Sequence, residues 1–438
     1  MEVREMNHRF FLKKLCTSRI SILYFIICGC LVCNQACCKE NATMTTPTDP
    51  IKADYSWYEE SAYIANGNKY ILTDANDLMG FAIISQQDTF EGKTVQLGAN
   101  ITVNDGTAAE MEARANDSDT TNDPITWIPI GDIMNGRKFA GTFDGQNYTI
   151  RGLYRKSDQL GVALFSETSS SSTVQNLRME DCYFHYDGYA LQSDGYVKPG
   201  YVASVAAYGN GAFKNIYSSA TIISEGNCAG GIVASVCKEV SDNHIFEKCW
   251  FDGTVTLKKH EKAAEKEEQY SFFAGGILGQ VVNDDIVCQM FDCLNTGTII
   301  GSINHVGGLC GYVADSGTLS ITNSLNAGSV TGNTNYGRIC SIVGHVEGEI
   351  KPTDDQRSTL RLLNVYSLKG AALDDTYHHE YTSSQDKAEY LSGTVTVLKK
   401  TKLKGERAKK HASALFATSG VWKSVTGSTP ILDFTWKQ

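Results

Sequence analysis

Short apolar segments recur at a nearly constant interval through the second half of the chain. Five of them begin at positions 200, 231, 276, 308 and 338, so the intervals are 31, 45, 32 and 30 residues. They read GYVASVA, GIVASVC, GILGQVV, GLCGYVA and RICSIVG, and a related segment, GVALFSE, begins at Gly161. Removing the polar insertion from Leu257 to Gln269 restores the common period. A fixed period of about 30 residues indicates a repeat protein.

Each apolar segment is followed by a second segment with a strand-like pattern. These second segments read VQNLRMEDCYF, FKNIYSSATI, FEKCWFDGTV, MFDCLNTGTI, ITNSLNAGSV and LLNVYSLKGA. Four of them carry an asparagine at the matching position, namely Asn176, Asn215, Asn323 and Asn364. We expect these asparagines to line up along the repeats as a turn or an internal ladder.

A single repeat of this size is too small to fold alone. Ordering about 30 residues costs more free energy than the burial of about eight side chains supplies. Neighbouring repeats must therefore share buried surface and backbone hydrogen bonds. Short strands with glycine-marked corners achieve this in a right-handed parallel β-helix, in which each repeat forms one coil. We predict an all-β fold of this type, a solenoid with a small capping segment at each end.

The flanking segments complete the predicted domain organisation. Residues 55–158 are expected to form the N-terminal cap and first coils, residues 159–371 the repeats, and residues 372–438 the C-terminal cap. In the first part, YILTDANDLMGFAIISQQDTFEGKTVQLGANITV predicts a strand, a short helix from about Asp74 to Ser85, and two further strands. Asp74 is the expected N-cap of this helix. Residues 104–124 are polar, which favours an irregular surface excursion.

The amino terminus has the pattern of an export signal. Basic residues precede the apolar run ISILYFIICGCLV, which is short for a membrane-crossing helix. We expect residues 1–38 to be a cleaved signal segment and residues 39–54 to be a flexible tether. Six of the 14 cysteines lie at or before Cys38, as in a bacterial lipoprotein signal. This resemblance implies lipid attachment at Cys30, or alternatively at Cys37.

Two motifs and the repeats resemble a known group of bacterial surface proteins. The stretch WIPIGD, from Trp127 to Asp132, is followed by FAGTFDGQNYTIRGLY and then by repeats built on GGLCGYV. This order is similar to proteins that carry the GLUG motif, which occurs in adhesin-like proteins and upstream of the protease domain of some immunoglobulin A peptidases. The resemblance covers roughly residues 70–371 and implies a surface-exposed β-helix with an adhesive role. It also implies that the C-terminal cap contains Trp422, Pro430, Ile431 and Leu432.

Composition and charge narrow the functional classes. The formal net charge is -10, so a nucleic acid would be repelled, and we expect no nucleic-acid partner. The remaining eight cysteines run from Cys182 to Cys340. Three of them, Cys237, Cys310 and Cys340, lie in apolar strand-like runs, where cysteine acts as a small hydrophobic residue. We therefore expect mostly free, buried thiols.

The catalytic motifs of common hydrolases are absent from the sequence. The zinc-protease signature H-E-x-x-H does not occur, because His260-Glu261 is followed by KAAE and His379-Glu380 by YTSS. Asp181, Asp252 and Asp292 fall at comparable places in successive coils and could form the carboxylate cluster of a lyase or glycosidase. Turn residues on a solvated face are the simpler interpretation of these aspartates.

Four further groups are weaker candidates for a site. Asp117, Asp119 and Asp123 alternate in an acidic loop that lacks the glycine and glutamate of a calcium loop. Asp374, Asp375, His378 and His379 could bind a transition metal, but adjacent histidines on a strand point to opposite faces. The basic run from Lys399 to Lys410 could meet an anionic surface or glycan. The aromatic segment from Tyr183 to Tyr201 could stack on sugars.

These patterns predict a binding protein rather than an enzyme. We expect a lipid-anchored protein of the cell surface or outer membrane, acting as an adhesin or ligand-binding module for a host or bacterial glycan or protein. The alternatives are a carbohydrate-active enzyme on the same scaffold, which would be a polysaccharide lyase or glycosidase, and a structural spacer. We expect no cofactor and no metal.

Overall fold

The computed structural model divides the chain into two units, residues 1–49 and 50–438, and the described residues all belong to the second unit. The expected signal segment, Cys30 and Cys37 lie outside them. No helix among the described residues has both the length and the apolar character needed to cross a membrane. The described residues are 51–188, 200–237, 243–258, 272–282, 286–301, 305–314, 316–332, 338–348, 357–373, 376–379 and 384–437.

The body is a parallel β-helix, which confirms the predicted all-β solenoid. Each full coil contributes strands to four parallel sheets, here numbered 1 to 4. The path of sheet 1 comprises Tyr70–Leu72, Thr94–Leu97, Thr142–Asp144, Thr173–Glu180, Ala212–Ser218, Asn243–Phe251, Val287–Phe291, Thr318–Thr322, Thr359–Leu363 and Leu391–Ser392. Its side strands are Ile101–Thr102, Thr149–Arg151, Leu294–Asn295, Leu325–Asn326, Val365–Leu368 and Val395–Leu398.

The other three sheets follow in chain order within each coil. Sheet 2 comprises Tyr154–Ser157, Tyr183–Tyr186, Thr221–Ser224, Thr254–Leu257, Thr298–Gly301 and Ser329–Gly332. Sheet 3 comprises Tyr201–Ala203, Cys228–Gly230, Phe273–Gly275, His305–Gly307 and Ile339–Cys340. Sheet 4 comprises Phe165–Thr168, Ala206–Gly209, Val233–Val236, Leu278–Val281, Cys310–Val313, Val343–Val346 and Tyr377–His379.

The repeated glycines mark the sharp corner between sheets 3 and 4. In the coil that contains GGLCG, a Cβ on Gly307 would lie 1.9 Å from the Cys310 carbonyl oxygen. A Cβ on Gly308 would lie 2.2 Å from the Ser341 oxygen, and one on Gly311 would lie 2.5 Å from the Gly279 oxygen. Any larger residue would push these backbones apart. The spacing of the motif therefore reflects the close approach of the backbone at this corner, both within the coil and to the coils on either side.

The predicted asparagine column forms a turn on the outside of the coils. Its members have φ angles of 53°, 54°, 48° and 55° at Asn176, Asn215, Asn323 and Asn364. This left-handed conformation suits asparagine better than most residues. Asn215 Nδ2 donates to Asn176 Oδ1 at 2.8 Å, and Asn364 Nδ2 donates to Asn323 Oδ1 at 2.9 Å. The column is thus the predicted turn rather than an internal ladder.

An internal asparagine pair does exist, at positions that the sequence did not single out. Asn295 and Asn326 are fully buried, and Asn295 Nδ2 donates to Asn326 Oδ1 at 2.8 Å. Asn326 Nδ2 in turn donates to the Ser341 carbonyl oxygen at 2.8 Å. The next coil therefore satisfies the Asn295 amide, and the corner between sheets 3 and 4 satisfies that of Asn326, which is the condition for burying a polar side chain without a large penalty.

Most of the described helical structure lies in the N-terminal part of the chain, around the first coils. Helices span Glu60–Ala65, Ala75–Ile84 and Ala108–Ala115, and single turns span Ser56–Tyr58, Thr120–Asn122 and Ile133–Asn135. Asp74 caps the second helix by accepting from Asn76 and Asp77 N–H groups, as predicted. Residues 104–124, expected to be irregular, instead contain the helix Ala108–Ala115. Met111 anchors this helix, because it is fully buried in a cluster with Tyr154 and Tyr183.

The C-terminal residues first complete the last coil and then pack along its side. Tyr377–His379, Leu391–Ser392 and Val395–Leu398 pair with strands of the preceding coil. The helices Ser384–Tyr390, Lys400–Leu403 and Glu406–His411, the turn Ser413–Phe416 and the antiparallel strands Trp422–Lys423 and Ile431–Leu432 follow. Residues 399–432, here called the lateral module, cover outward-facing Leu294, Leu325 and Tyr366 of sheet 1 with Leu403, Leu415, Trp422 and Leu432.

Beyond the lateral module, residues 433–437 form a tail that runs back across earlier coils. The Phe434 ring stacks on Trp250 at 6.2 Å, and the Trp436 ring contacts Tyr217 at 6.4 Å. The Lys437 N–H donates to the Asn147 carbonyl oxygen at 2.8 Å. The tail therefore connects the C-terminal residues to coils near the start of the solenoid.

The eight cysteines from Cys182 to Cys340 are all free thiols, and all except Cys237 are buried. This confirms the prediction from their apolar surroundings. Burial raises the pKa of Cys182 and of Cys310 to about 12. Such thiols react slowly, because the thiolate is the reactive form.

Candidate functional site

An open pocket lies beside the N-terminal helices and the first coils. Its volume is about 710 Å³, within the range of small-ligand sites. Tyr55 at its edge is 46% exposed. The pocket is lined by Tyr55, Tyr58, Ile83, Ile84, Gln87, Asp88, Thr89 and Arg137.

Two walls of the pocket are held together by side chains at the end of the helix Ala75–Ile84. The Ser85 hydroxyl accepts from the Gly131 N–H at 2.8 Å. Gln86 Nε2 donates to the carbonyl oxygens of Gly131 at 2.8 Å and Pro129 at 3.0 Å. The WIPIGD motif is therefore fixed against the helix end. The pocket between them is pre-formed rather than assembled by a ligand.

The residues after WIPIGD form a turn that places Arg137 at the pocket. Asp132 accepts from the N–H groups of Met134 at 3.0 Å and Asn135 at 3.3 Å, and Gly136 has a φ of 65°. The backbones of Asp132 and Arg137 then exchange two hydrogen bonds, of 2.7 and 2.8 Å. The Arg137 side chain is exposed, and within the described part of the chain no carboxylate pairs with it. The turn thus presents an uncompensated guanidinium.

The third wall is an aromatic group around an ion pair. Lys93 Nζ lies 2.5 Å from Asp88 Oδ2, and the Tyr58 hydroxyl donates to the same oxygen. Lys93 Nζ also lies 5.6 Å from the Tyr58 ring centroid and 5.5 Å from that of Phe90. Burial opposes ionisation of Asp88, but the hydrogen bonds from Lys93 and Tyr58 outweigh it and lower the pKa of Asp88. Asp88 is therefore ionised, and Lys93 compensates its negative charge. Lys93 itself lies against the aromatic rings.

The three aspartates considered for catalysis do not share one column of the solenoid. Asp181 and Asp252 lie in the bend between sheets 1 and 2, whereas Asp292 lies in the left-handed turn position between Lys248 and Asn323. Asp292 Oδ1 accepts from Trp422 Nε1 at 2.9 Å, and burial raises the pKa of Asp292. The expectation that all three occupy comparable places is wrong for Asp292. The lateral module covers this carboxylate.

In the acidic loop and the histidine pair, Asp119 and His378 make contacts within the fold. Asp119 accepts from the Thr121 N–H at 3.0 Å and so caps the turn Thr120–Asn122. His378 pairs with His345 in the preceding coil, with their Nδ1 atoms 2.8 Å apart and ring centroids 4.9 Å apart. Asp374 and Asp375 lie outside the described residues. The described part of the chain contains no group of three or more potential metal ligands.

The basic run and the aromatic segment have different surroundings. Residues Lys399 to Lys410 form the short helices Lys400–Leu403 and Glu406–His411, and most of their cationic side chains are exposed. Tyr183 is fully buried, and its hydroxyl donates to Glu112 at 2.6 Å. Residues 189–199 of the aromatic segment lie outside the described residues, as does the insertion after Lys258. Buried Tyr183 and Tyr201 cannot serve as sugar platforms.

The sequence did not point to the pocket residues, because they come from three separate segments. Of these, only the turn after WIPIGD stood next to a recognisable motif. A column of stacked rings at the corner of sheets 3 and 4 was also missed. It pairs Phe273 with Tyr312 at 4.0 Å and His305 with His345 at 4.2 Å. Such columns arise when aromatic residues occupy matching positions in successive coils.

Comparison with known proteins supports the fold and leaves the family open. No protein-family model matches the chain, and no curated protein is significantly similar to it in sequence. One similar solved structure is that of a Bacteroides ovatus protein provisionally named an immunoglobulin A1 protease. The TM-score is 0.51 at 16% sequence identity, covering 84% of this chain and 93% of that one. At this identity the likeness shows a shared fold alone, and membership of the GLUG group stays a prediction.

Proposed function

We propose that this chain is an exported, lipid-anchored surface protein whose β-helix body binds a glycan in the pocket beside its N-terminal helices. The pocket itself is the observation that carries the proposal. It combines the exposed Tyr55 ring with polar side chains of Gln87, Thr89 and Arg137. Sugars offer both an apolar ring face and many hydroxyl groups, so a site of this composition suits them.

Binding without cleavage is favoured over hydrolysis by a glycosidase. A glycosidase needs two carboxyl groups with different protonation states across the scissile bond. Asp88 is the acidic residue that lines this pocket, and Lys93 holds it ionised. The pocket therefore offers an anchored ion pair in place of a general acid. The spacer alternative would leave the pocket without a role.

The proposal is tested by a glycan-array screen with the purified full-length chain and with its Tyr55→Ala variant. Each bound glycan is then examined for chain cleavage after overnight incubation. We expect binding to a restricted set of glycans, loss of this binding in Tyr55→Ala, and intact glycans. Ile64→Ala is the control, since Ile64 is 61% exposed and does not line the pocket. Cleavage would favour the enzyme, and binding that survives Tyr55→Ala would place the site elsewhere.

A further inference from the structure

We infer that the glycan bound in the pocket carries an acidic group, and that Arg137 recognises this group. The inference rests on the proposed function and names the ligand class of the same site. Its basis is the local charge. Asp88 and Lys93 compensate one another across a 2.5 Å contact, whereas Arg137 lines the same pocket without a carboxylate partner among the described residues. When Asp88 and its partner Lys93 are counted together, the guanidinium of Arg137 is the charge of the lining that, in the described part of the chain, is left without a partner.

The fold fixes the backbone that presents this charge at the pocket. Two backbone hydrogen bonds join Arg137 to Asp132, and the Asp132 carboxylate is occupied by the turn Ile133–Asn135. Asp132 is thus used to shape the turn rather than to neutralise Arg137. The planar guanidinium on this turn can donate two parallel hydrogen bonds to a carboxylate or sulfate. A neutral sugar would leave that capacity unused.

The overall charge of the protein makes a local cation more significant. The formal net charge is -10, so long-range electrostatics repel an acidic glycan from most of the surface. Recognition must then depend on a contact made at short range, where salt screening is weaker than for exposed distant charges. An acidic sugar is the saccharide whose charge complements the pocket.

Tyr55 and Arg137 divide the recognition between them. The Tyr55 ring is exposed at the edge of the pocket and can stack on any sugar face. Arg137 distinguishes sugars by charge. Removing the ring should therefore weaken neutral and acidic ligands alike, whereas removing the guanidinium should weaken the acidic ligands far more than the neutral ones.

The test uses calorimetric titration of the full-length chain with three trisaccharides. They are a galacturonic acid trimer, the matching neutral galactose trimer and the galactose trimer carrying a sulfate. We expect tighter binding of one or both acidic trimers than of the neutral trimer, and the two acidic probes separate a carboxylate site from a sulfate site. Arg137→Gln should weaken the acidic trimer about tenfold or more, as expected for a lost charged hydrogen bond, and should weaken the neutral trimer much less. Arg137→Lys should restore part of the loss.

Arg361→Gln is the matched control, because it removes the same charge from an exposed position on a distant strand of sheet 1. Thermal denaturation of each variant checks that the fold is kept. Equal binding of neutral and acidic trimers, or an Arg137→Gln effect no larger than that of Arg361→Gln, would overturn the inference while leaving glycan binding in place. Failure of all three trimers, together with a silent glycan array, would contradict the proposed function as well.

Discussion

The two ends of the solenoid are covered by different kinds of structure. At the N-terminal end, Phe81 stacks on Phe143 of the core at 5.9 Å and packs edge-on against Phe90 at 5.0 Å, so aromatic rings continue the interior. Towards the C-terminus, the lateral module instead covers Leu294, Leu325 and Tyr366, which point outward from sheet 1. At the N-terminal end, aromatic rings fill the interior of the solenoid and form an aromatic plug. Towards the C-terminus, the lateral module covers the outer side of sheet 1.

This difference explains where the candidate site lies. Phe81, Phe90 and Phe143 form this aromatic plug, and Phe81 belongs to the helix Ala75–Ile84, whose end lines the pocket with Ile83 and Ile84. The lateral module lies flat on a column of apolar side chains, which leaves its cationic face exposed. The plug is therefore expected to support both stability and ligand binding, whereas the lateral module should support stability alone.

The largest effect is expected from Phe81→Ala in the aromatic plug. The Phe81 ring is fully buried, so its removal leaves a cavity next to Phe90 and Phe143. Such substitutions cost about 3–5 kcal/mol in free energy of unfolding. Chemical denaturation measures this cost, and glycan binding should fall with it. A stable variant would show that the plug does not hold the first coils together.

Leu415→Ala in the lateral module should have a somewhat smaller effect on stability and none on binding. Leu415 is 1% exposed and packs in the cluster that covers sheet 1. Loss of a buried leucine costs about 2–4 kcal/mol. The pocket lies outside this cluster, so glycan affinity measured below the unfolding transition should match that of the unchanged chain. Loss of binding would show that the two ends are coupled.

Trp436→Ala tests the tail that joins the two regions. The Trp436 ring stacks on Phe434 at 4.6 Å, and the Arg178 guanidinium lies 5.8 Å from it. Because these contacts are near the surface, their removal should cost about 1 kcal/mol in free energy of unfolding. Lys423→Ala, an exposed change in the neighbouring lateral module, serves as the reference. Equal midpoints for the two variants would mean that the tail is only loosely attached.

The smallest effect is a loss of stability in acid that belongs to the first half of the solenoid. Burial lowers the pKa of His185 below its ordinary value of 6.5, although Glu225 opposes this. The folded protein therefore favours neutral His185, and its contribution to stability is complete above pH 6.5 and is lost as the pH falls through the lowered pKa. His185→Gln should narrow the difference in denaturation midpoint between pH 7.5 and a pH below this pKa. An unchanged difference would assign the acid sensitivity to other groups.

Much of the fold could be predicted because a solenoid repeats its requirements. The corner glycines recur in most repeats, and an asparagine occupies the left-handed position in four of the six, so these positions stand out in the sequence. Asn295 and Asn326 recur in the same way, but only the structure shows that they face inward and satisfy each other. The lateral module was harder to predict, because a few isolated residues such as Leu403 and Leu415 hold its short helices in place.

The pocket could not be predicted from the sequence for a similar reason. Tyr55, Asp88 and Arg137 do not belong to the repeating pattern. They come together only when the helix end packs on the turn after WIPIGD. Asp292 shows the opposite error. It matched a catalytic pattern in sequence, yet Trp422 from the other end of the chain covers it.

The most direct test of the account compares two aromatic surfaces for glycan binding. The affinity of the full-length chain for the galacturonic acid trimer is measured alongside the Tyr55→Ala and Trp436→Ala variants. The account predicts that Tyr55→Ala weakens binding about tenfold or more, while Trp436→Ala changes it by less than about twofold. The reverse order would contradict the account, because it would place the ligand on the tail and sheet 1 instead of in the pocket.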